Sequence, residues 1–432
     1  MNILILHCMG DPLNWRAAVR DLEYLLPKCR PELDCLVHNA ALPLPDFIKD
    51  IEFQGIVLGP TFLGARRNLK LLEAVKRKYD FVKLAPAFKI ALPQDDYDCS
   101  ARLDRWLMDW RVDVAYTVCP GHEARFYPDF SRFCRLKSGF TGYIFNEWID
   151  RWQAPRPYEN RPLDVVYRAS KLPPFFGRLG HFKGLMGEVF QAEADRRGLT
   201  LRMDLSTARQ DIIPGRKWQE FMESSKAALS ALSGSSVWDP EGELRRRVMA
   251  FQGRRPRASF EEVEAACFPS LDGQVVATAI SPRNLEAALT ETLQIAVPGP
   301  YNGLLLAGEH YLPFGEDGSG FDEAIDILRR PPAARRVIKA AKEAVLSEDA
   351  LRAERFAEEL LGLIREGASA RRLEGMDHAR WGAIVKRYNS EMETVEKAFW
   401  RRSRMERRLK DFGLWLGLGR LRDILQGRQR RT

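Results

Sequence analysis

Twice along this chain, short continuous apolar runs alternate with amphipathic helical patterns, and few folds accommodate that rhythm. In residues 1–155 the runs are NILILH, DCLVHNA, GIVLG, KIALP and VDVAYTV, and the intervals include WRAAVRDLEYLL and NLKLLEAVKRKY. Strands that are apolar on both faces need helices on both faces, which describes a parallel α/β sheet. After the Pro-rich connector Arg151–Asp164 the alternation resumes with LDVVYRA, the helical KGLMGEVFQAEADRRG, the strand LTLRMDLS, the helical WQEFMESSKAALSAL, the strand SSVWD and a helix from Ser281. With 432 residues, the chain exceeds what one core usually organises. The expected fold is α/β: two Rossmann-like domains, 1–155 and 156–330, facing a cleft, followed by a helical extension, 331–432. In such sheets ligands bind beyond the carboxyl ends of the strands, so the cleft is where chemistry is expected.

Several classes of function are disfavoured. No run of about 18 uncharged apolar residues is present, and MNILILHCMGD has neither a basic start nor a small-residue cleavage site. Seven cysteines without a C-x-x-C pair read as reduced structural thiols, and six histidines without helical i, i+4 pairing offer no metal site. A reducing cytosol is the expected location, with no metal and no cofactor. Residues 399–432 hold 11 Lys and Arg against 3 Asp and Glu, an excess equal to the +8 of the whole chain. There the arginines mix with Phe412, Leu414, Trp415, Leu416, Leu418, Leu421 and Leu425. That mixture suits a helix lying on an anionic membrane surface, at the inner face of the cell membrane, better than one binding nucleic acid. Packing of the same segment on its own domains is the competing reading.

The stretch AISPRNLEAALTET begins a helix, with Ser281 as N-cap and Pro282 at the first position. Leu285, Ala288, Leu289, Thr292 and Leu293 follow the spacing of one buried stripe. At about 100° per residue, Glu286 lies beside that stripe and Glu291, five positions on, points roughly 140° away from Glu286. The two carboxylates cannot flank one bond as paired-carboxylate catalysis requires. Glu291 reads as solvated surface, and Glu286 as either a first-turn glutamate favoured by the helix dipole or a ligand contact.

The surrounding run SPRNLEAALTETLQIAVPGPYNGLLLAGEHYLPFGEDGSGFDEAIDIL resembles the donor-binding half of bacterial GT-B glycosyltransferases of the retaining polysaccharide and lipopolysaccharide type. The resemblance implies that Glu286 contacts the ribose of a nucleotide-sugar, and that Tyr301, Gly303 and Asp322 match the pattern that follows. It places Arg168 of VVYRASKLPPFFGRLGHFKG and Lys183 on the donor diphosphate, with Arg283 and Ser236 also on the donor side. Ser236 belongs to a W-x-x-F…S-G-x-S-x-x-D block, and KIALPQDDY is similar to a strand-Q-D-D/E-Y signature. In one respect the chain departs from the group: eight residues before Glu286 stands Thr278, where the first glutamate of the usual pair is expected. Retention of anomeric configuration is therefore not implied.

Transfer from a nucleoside diphosphate without a metal needs cations and helix N-termini on the departing diphosphate. Arg168 and Lys183, set among Gly177, Gly180 and Gly184, are suitable types. On the other side of the cleft, Asp11, His7 and His122 follow strands and are candidates to bind or deprotonate an acceptor hydroxyl. Gln94, Asp95 and Asp96 form the candidate acceptor loop; Asp96-x-Asp98 as a metal-binding pair conflicts with the twin-sheet pattern. The implied activity is sugar transfer to a glycan or lipid-linked acceptor in surface polysaccharide synthesis. The alternatives are an epimerase-like enzyme on the same donor and a non-catalytic membrane scaffold.

Overall fold

The computed structural model describes residues 1–213 and 215–415. The first sheet has six parallel strands in the order β2-β1-β3-β4-β5-β6. These are β1 (Ile3–His7), β2 (Cys35–Asn39), β3 (Gly55–Leu58), β4 (Phe88–Ala91), β5 (Val114–Thr117) and β6 (Arg135–Ser138). β1 and β3 are buried at every position, as the unbroken apolar runs require, whereas edge strand β6 carries Arg135 and Lys137, charges that discourage pairing with another chain.

The second sheet has five parallel strands in the order β13-β12-β9-β7-β8. They are β7 (Leu163–Arg168), β8 (Met203–Ser206), β9 (Ser225–Ser230), β12 (Leu293–Ala296) and β13 (Leu312–Pro313). The fold is therefore two Rossmann-like α/β halves with a helical C-terminal region. Between β9 and the helix Pro282–Leu289 an insert forms an antiparallel pair, β10 (Ser233–Ser235) with β11 (Ala277–Ala279), and two helices, Glu243–Arg254 and Phe260–Cys267.

Three local expectations are corrected. WQEFMESSKAALSAL is not one helix: the helix Arg216–Glu223 stops, and Ser225–Ser230 is the central strand β9. Its alanines are good helix formers, but here small side chains let helices approach both faces of the sheet. SSVWD does not join the parallel sheet; only its first residue, Ser235, belongs to the insert's β10. The helix from Pro282 ends at Leu289, so Thr292 and Leu293 lie outside it. Glu291 turns the chain in the left-handed region at φ 52° and pairs with Lys342 at 2.8 Å, so it is not free solvated surface.

The C-terminal helices return to the first sheet. Phe356, Leu360, Leu361 and Ile364 of the helix Ala353–Ala370 share a core with Ile3, Ile5, Ile90 and Val114. The helix His378–Trp415 adds Trp381, Val385, Tyr388, Met392 and Trp400 to the core on the opposite face. No helix among the described residues is long and apolar enough to cross a membrane. Leu416, Leu418, Leu421 and Leu425 of the basic segment lie outside the described residues, as do the side chains of Phe412, Leu414 and Trp415.

Candidate functional site

The two halves meet where strand carboxyl ends face each other. Gln94 Nε2 donates to Thr141 O (2.9 Å), and Thr141 Oγ1 donates across the cleft to Ile280 O. Ile280 N donates to Asn302 Oδ1 (2.7 Å). Pro282, at the start of its helix, packs so closely on Gly142 that an added Cβ there would lie 3.0 Å from it. Flanking this contact, the insert straps onto the first domain: Trp238 Nε1 donates to Ser100 Oγ (3.0 Å), and Arg105 forks onto Glu241 at 2.7 and 2.8 Å.

At the cleft, like charges converge. Lys183 lies in the second turn of the helix Gly177–Arg196, and Arg283 one residue after Pro282. Arg16 comes from the first domain, at the residue before the helix Ala17–Glu23. Burial pushes the Lys183 ammonium down to about 8, and the charges of Arg283 and Arg16 push the same way against the attraction of Asp95. Burial likewise lowers Arg283, against the attraction of Tyr167 and Glu286, with Arg16 adding to the lowering. Among the described residues neither Lys183 nor Arg16 has a side-chain hydrogen bond or ion pair, and Arg283 bonds only the Arg168 carbonyl. Two partly buried cations and the exposed Arg16, none of them ion-paired among the described residues although Asp95 and Glu286 lie near, mark a place suited to an anion.

Glu286 stands one turn after Arg283 and is 4% exposed. The solvated-glutamate reading is thereby excluded. Trp218 Nε1 donates to its Oε2 at 2.6 Å. Burial raises the carboxyl to about 7, while Trp218 and Arg283 pull it down and Asp21 pushes it up. Beside it, a crevice lined by Arg168, Trp218, Phe221, Arg283, Ser230 and Gln294 lies over β7 and β9, between the helices Arg216–Glu223 and Pro282–Leu289.

Other expected donor contacts are already committed. Every nitrogen of the Arg168 guanidinium has a partner: Nε donates to Asp211 O (3.1 Å), Nη1 to Tyr167 O (2.9 Å) and Asp204 O (3.0 Å), and Nη2 to Asp204 Oδ1 (2.8 Å). It braces β7 against β8, and only its carbonyl reaches the site. Ser236 Oγ accepts from Leu179 N (3.2 Å) and Asp272 from Arg178 N (2.7 Å), so the insert occupies the first turn of the helix Gly177–Arg196. The glycines there serve packing: a Cβ on Gly177 would meet Ser236 Oγ at 2.3 Å, and one on Gly180 the Phe176 side chain at 2.5 Å. Tyr301 is buried with its hydroxyl on Val297 O (2.6 Å). Asp322 forks onto Arg197 at the surface. Thr278 lies in β11 opposite Gly234.

The acceptor-side candidates are also tied down. Asp11 caps the turn Pro12–Asn14 and accepts from Arg404 at 2.8 and 3.0 Å. His7 is 1% exposed; burial lowers it to about 4, which leaves it neutral. Its Nδ1 accepts from Met9 N (3.3 Å) and its Nε2 meets the Tyr24 hydroxyl (3.4 Å). His122 stacks on Phe126 and contacts Val276 O (3.2 Å). Asp96 is fully buried and accepts from Thr117 Oγ1 (2.6 Å) and Tyr127 OH (2.9 Å), so it does not face an acceptor. Asp95 pairs with Arg67, and Asp98 with Arg67 and, across the domains, with Arg245. The PQDDYD loop is thus a bracket between domains. No group of three or more His, Cys, Asp or Glu suited to a metal occurs among the described residues.

No site role follows from the sequence for Arg16, Trp218 or Asn302; Trp218 enters only as the first residue of the W-x-x-F block. Asn302 was marked only by the Y-N-G turn, where Tyr301, Asn302 and Gly303 all have positive φ.

No protein-family model matches the chain, and no curated protein matches it. Among solved structures, the chain is similar to Anabaena HepE in complex with UDP-glucose, at 12% identity, with 86% of this chain and 100% of that one covered and a TM-score of 0.46. It is similar to sucrose-phosphate synthase from Thermosynechococcus elongatus at 14% identity, 86% and 100% coverage and a TM-score of 0.44. An α-glucosyltransferase in complex with UDP and a 13-mer DNA shows 9% identity, 84% and 99% coverage and a TM-score of 0.49. All three scores lie below 0.5, and the functional reading rests on the chain's own residues.

Proposed function

We propose that this protein is a glycosyltransferase of the GT-B type that takes a sugar from a nucleoside diphosphate donor and passes it to a glycan or lipid-linked acceptor. The observation that carries this reading is the set of Lys183, Arg283 and Arg16 around one point of the cleft, with Glu286 one helical turn from Arg283. The cations suit a diphosphate and the carboxylate suits the vicinal hydroxyls of a ribose. As the bond from the anomeric carbon to the phosphate oxygen breaks, negative charge accumulates on the leaving diphosphate. Cations already aimed at that position stabilise it without reorganisation. Lys183 and Arg283 reach it from the second domain and Arg16 from the first, so the charged cluster assembles only when the halves are together. A role in surface polysaccharide synthesis, and contact of the basic segment with an anionic membrane, belong to the same proposal.

A thermal-shift screen of UDP-, GDP-, ADP- and dTDP-sugars tests it. At least one is expected to raise the melting temperature of the wild type. Glu286→Gln is expected to weaken that ligand about tenfold, the loss that follows when a charged acceptor of hydrogen bonds becomes neutral. A wild type indifferent to every donor, or a variant that binds as well as wild type, overturns the assignment. An epimerase-like enzyme would bind the donor and release modified sugar without any acceptor.

A further inference from the structure

Trp218 is the strongest feature of this region left without a role. It sits in the helix Arg216–Glu223, 68 positions from Glu286, and donates the one side-chain hydrogen bond that this carboxylate has among the described residues. The indole itself packs against two neighbours. The Arg283 guanidinium lies over the ring at 5.1 Å, and the Phe221 ring sits 5.8 Å away. Beyond Phe221, the Arg168 guanidinium covers its face at 4.6 Å. Arg283 is in turn held by the Arg168 carbonyl. Arg283, Trp218, Phe221 and Arg168 therefore form one stack along the crevice, two adjacent aromatic rings with a cation at each end.

An indole N–H has one use, as a donor, and at 2.6 Å it is spent on Oε2 alone. The second oxygen, Oε1, has no hydrogen-bond partner among the described residues. A buried carboxylate with one oxygen pinned and the other free is oriented, so its remaining lone pairs present themselves in one direction. A donor aimed at the ionised form also favours ionisation in a place where burial opposes it.

We propose that Trp218 is a positioning residue for Glu286: its N–H fixes one carboxylate oxygen so that the other is presented, ionised, to the ribose hydroxyls of the donor. The inference rests on the donor reading given above. The charged groups acting on Glu286 are Arg283 on its own helix and Asp21 from the first domain, with Lys183 and Arg16 beyond Arg283. None of them replaces a hydrogen-bond donor in contact with Oε2.

The test is Trp218→Phe, which keeps an aromatic ring beside Arg283 and Phe221 and removes the N–H together with part of the ring volume, a packing loss that the Glu286→Gln background below corrects for. Two readouts separate the claims. In the ligand-free protein, ¹³C NMR titration of the Glu286 carboxyl is expected to show its midpoint moving up by about one pH unit in Trp218→Phe. Calorimetric affinity for the nucleotide-sugar that the screen identifies is expected to fall about tenfold at pH 6.5. The penalty should shrink to about threefold or less at pH 8.5, where Glu286 is ionised in both proteins. In a Glu286→Gln background, Trp218→Phe is expected to cost less than twofold at every pH. A penalty that is the same at all pH values, or an unmoved carboxyl titration, overturns the positioning role while leaving the donor site standing. A moved titration in a protein that binds no nucleotide-sugar overturns the donor reading and the role of Trp218 with it.

Discussion

Replacing Lys183 with methionine is expected to lower donor kcat/KM about 100-fold or more and, at the same time, to raise the melting temperature of the ligand-free protein by about 2–4 °C. The two effects have one cause. Lys183 is a partly buried cation whose near neighbours Arg283 and Arg16 carry the same charge, and its ammonium titrates near 8. With a folded-state value below the ordinary lysine value, the folded protein holds fewer protons than the unfolded chain between about 8 and 10.5. Stability therefore rises with pH across that window, and at pH 7 the charged lysine costs on the order of 2 kcal/mol. Methionine keeps the length of the side chain and removes the cost. The same charge is what a diphosphate needs, and a lost contact of this kind typically costs 2–5 kcal/mol in the complex. Because the free ammonium loses its proton near 8, wild-type affinity for a nucleotide-sugar should decline as pH rises through that value. Lys183→Arg should flatten the decline, since a guanidinium stays charged. Differential scanning calorimetry and steady-state kinetics on the same preparations decide the matter. Reduced activity with reduced stability would make Lys183 an ordinary structural residue.

That residues at binding sites pay for function in stability also explains what could be read from this sequence. The unbroken apolar runs of β1 and β3 signalled buried parallel strands because their period is a property of the run itself. β9 was hidden because Ala227, Ala228 and Ser230 have no strand signature; only the neighbours β7 and β12 make Ser225–Ser230 a strand. The same distinction runs through the site. Glu286 and Lys183 stood out by local motif, but what surrounds them is set by residues far along the chain: Trp218 on Glu286, and Arg16 opposite Lys183 and Arg283. Arg168 and Asp96 carry suitable chemistry in suitable places. Their partners, Asp204 and Asp211 for the arginine and Thr117 and Tyr127 for the aspartate, had no mark in the sequence and take both side chains out of the cleft.

Arg66→Leu is expected to destabilise the protein by about 3–5 kcal/mol, the largest stability loss anticipated for a single substitution near the cleft. The side chain is completely buried and makes no direct ion pair. Its guanidinium binds four carbonyls instead: Nε that of Asp98 (2.8 Å), Nη1 that of Leu63 (3.0 Å), and Nη2 those of Gln94 (2.9 Å) and Asp95 (2.7 Å). Three of the four belong to the PQDDYD loop. That loop carries Asp95 at φ 52°, and Cys99 at φ 57° follows it directly, conformations that cost non-glycine residues on the order of 1 kcal/mol each and need to be held by their surroundings. Leucine fills much of the space but leaves those carbonyls without a donor in a dry interior, at about 1–3 kcal/mol for each one not rescued by water. The effect should spread beyond the loop. Gln94 reaches Thr141, which bonds Ile280 of the second domain, and Asp98 pairs with Arg245 of the insert. Once the loop relaxes, both ties between the halves loosen, so donor affinity should fall together with stability, the opposite of the pattern expected for Lys183→Met. Arg66→Lys, which supplies three donors without the planar fork, should recover only part of the loss. Urea unfolding followed by circular dichroism measures the difference; a loss below about 1 kcal/mol would mean that the four carbonyls find other partners, and that the bracket between the domains does not depend on Arg66.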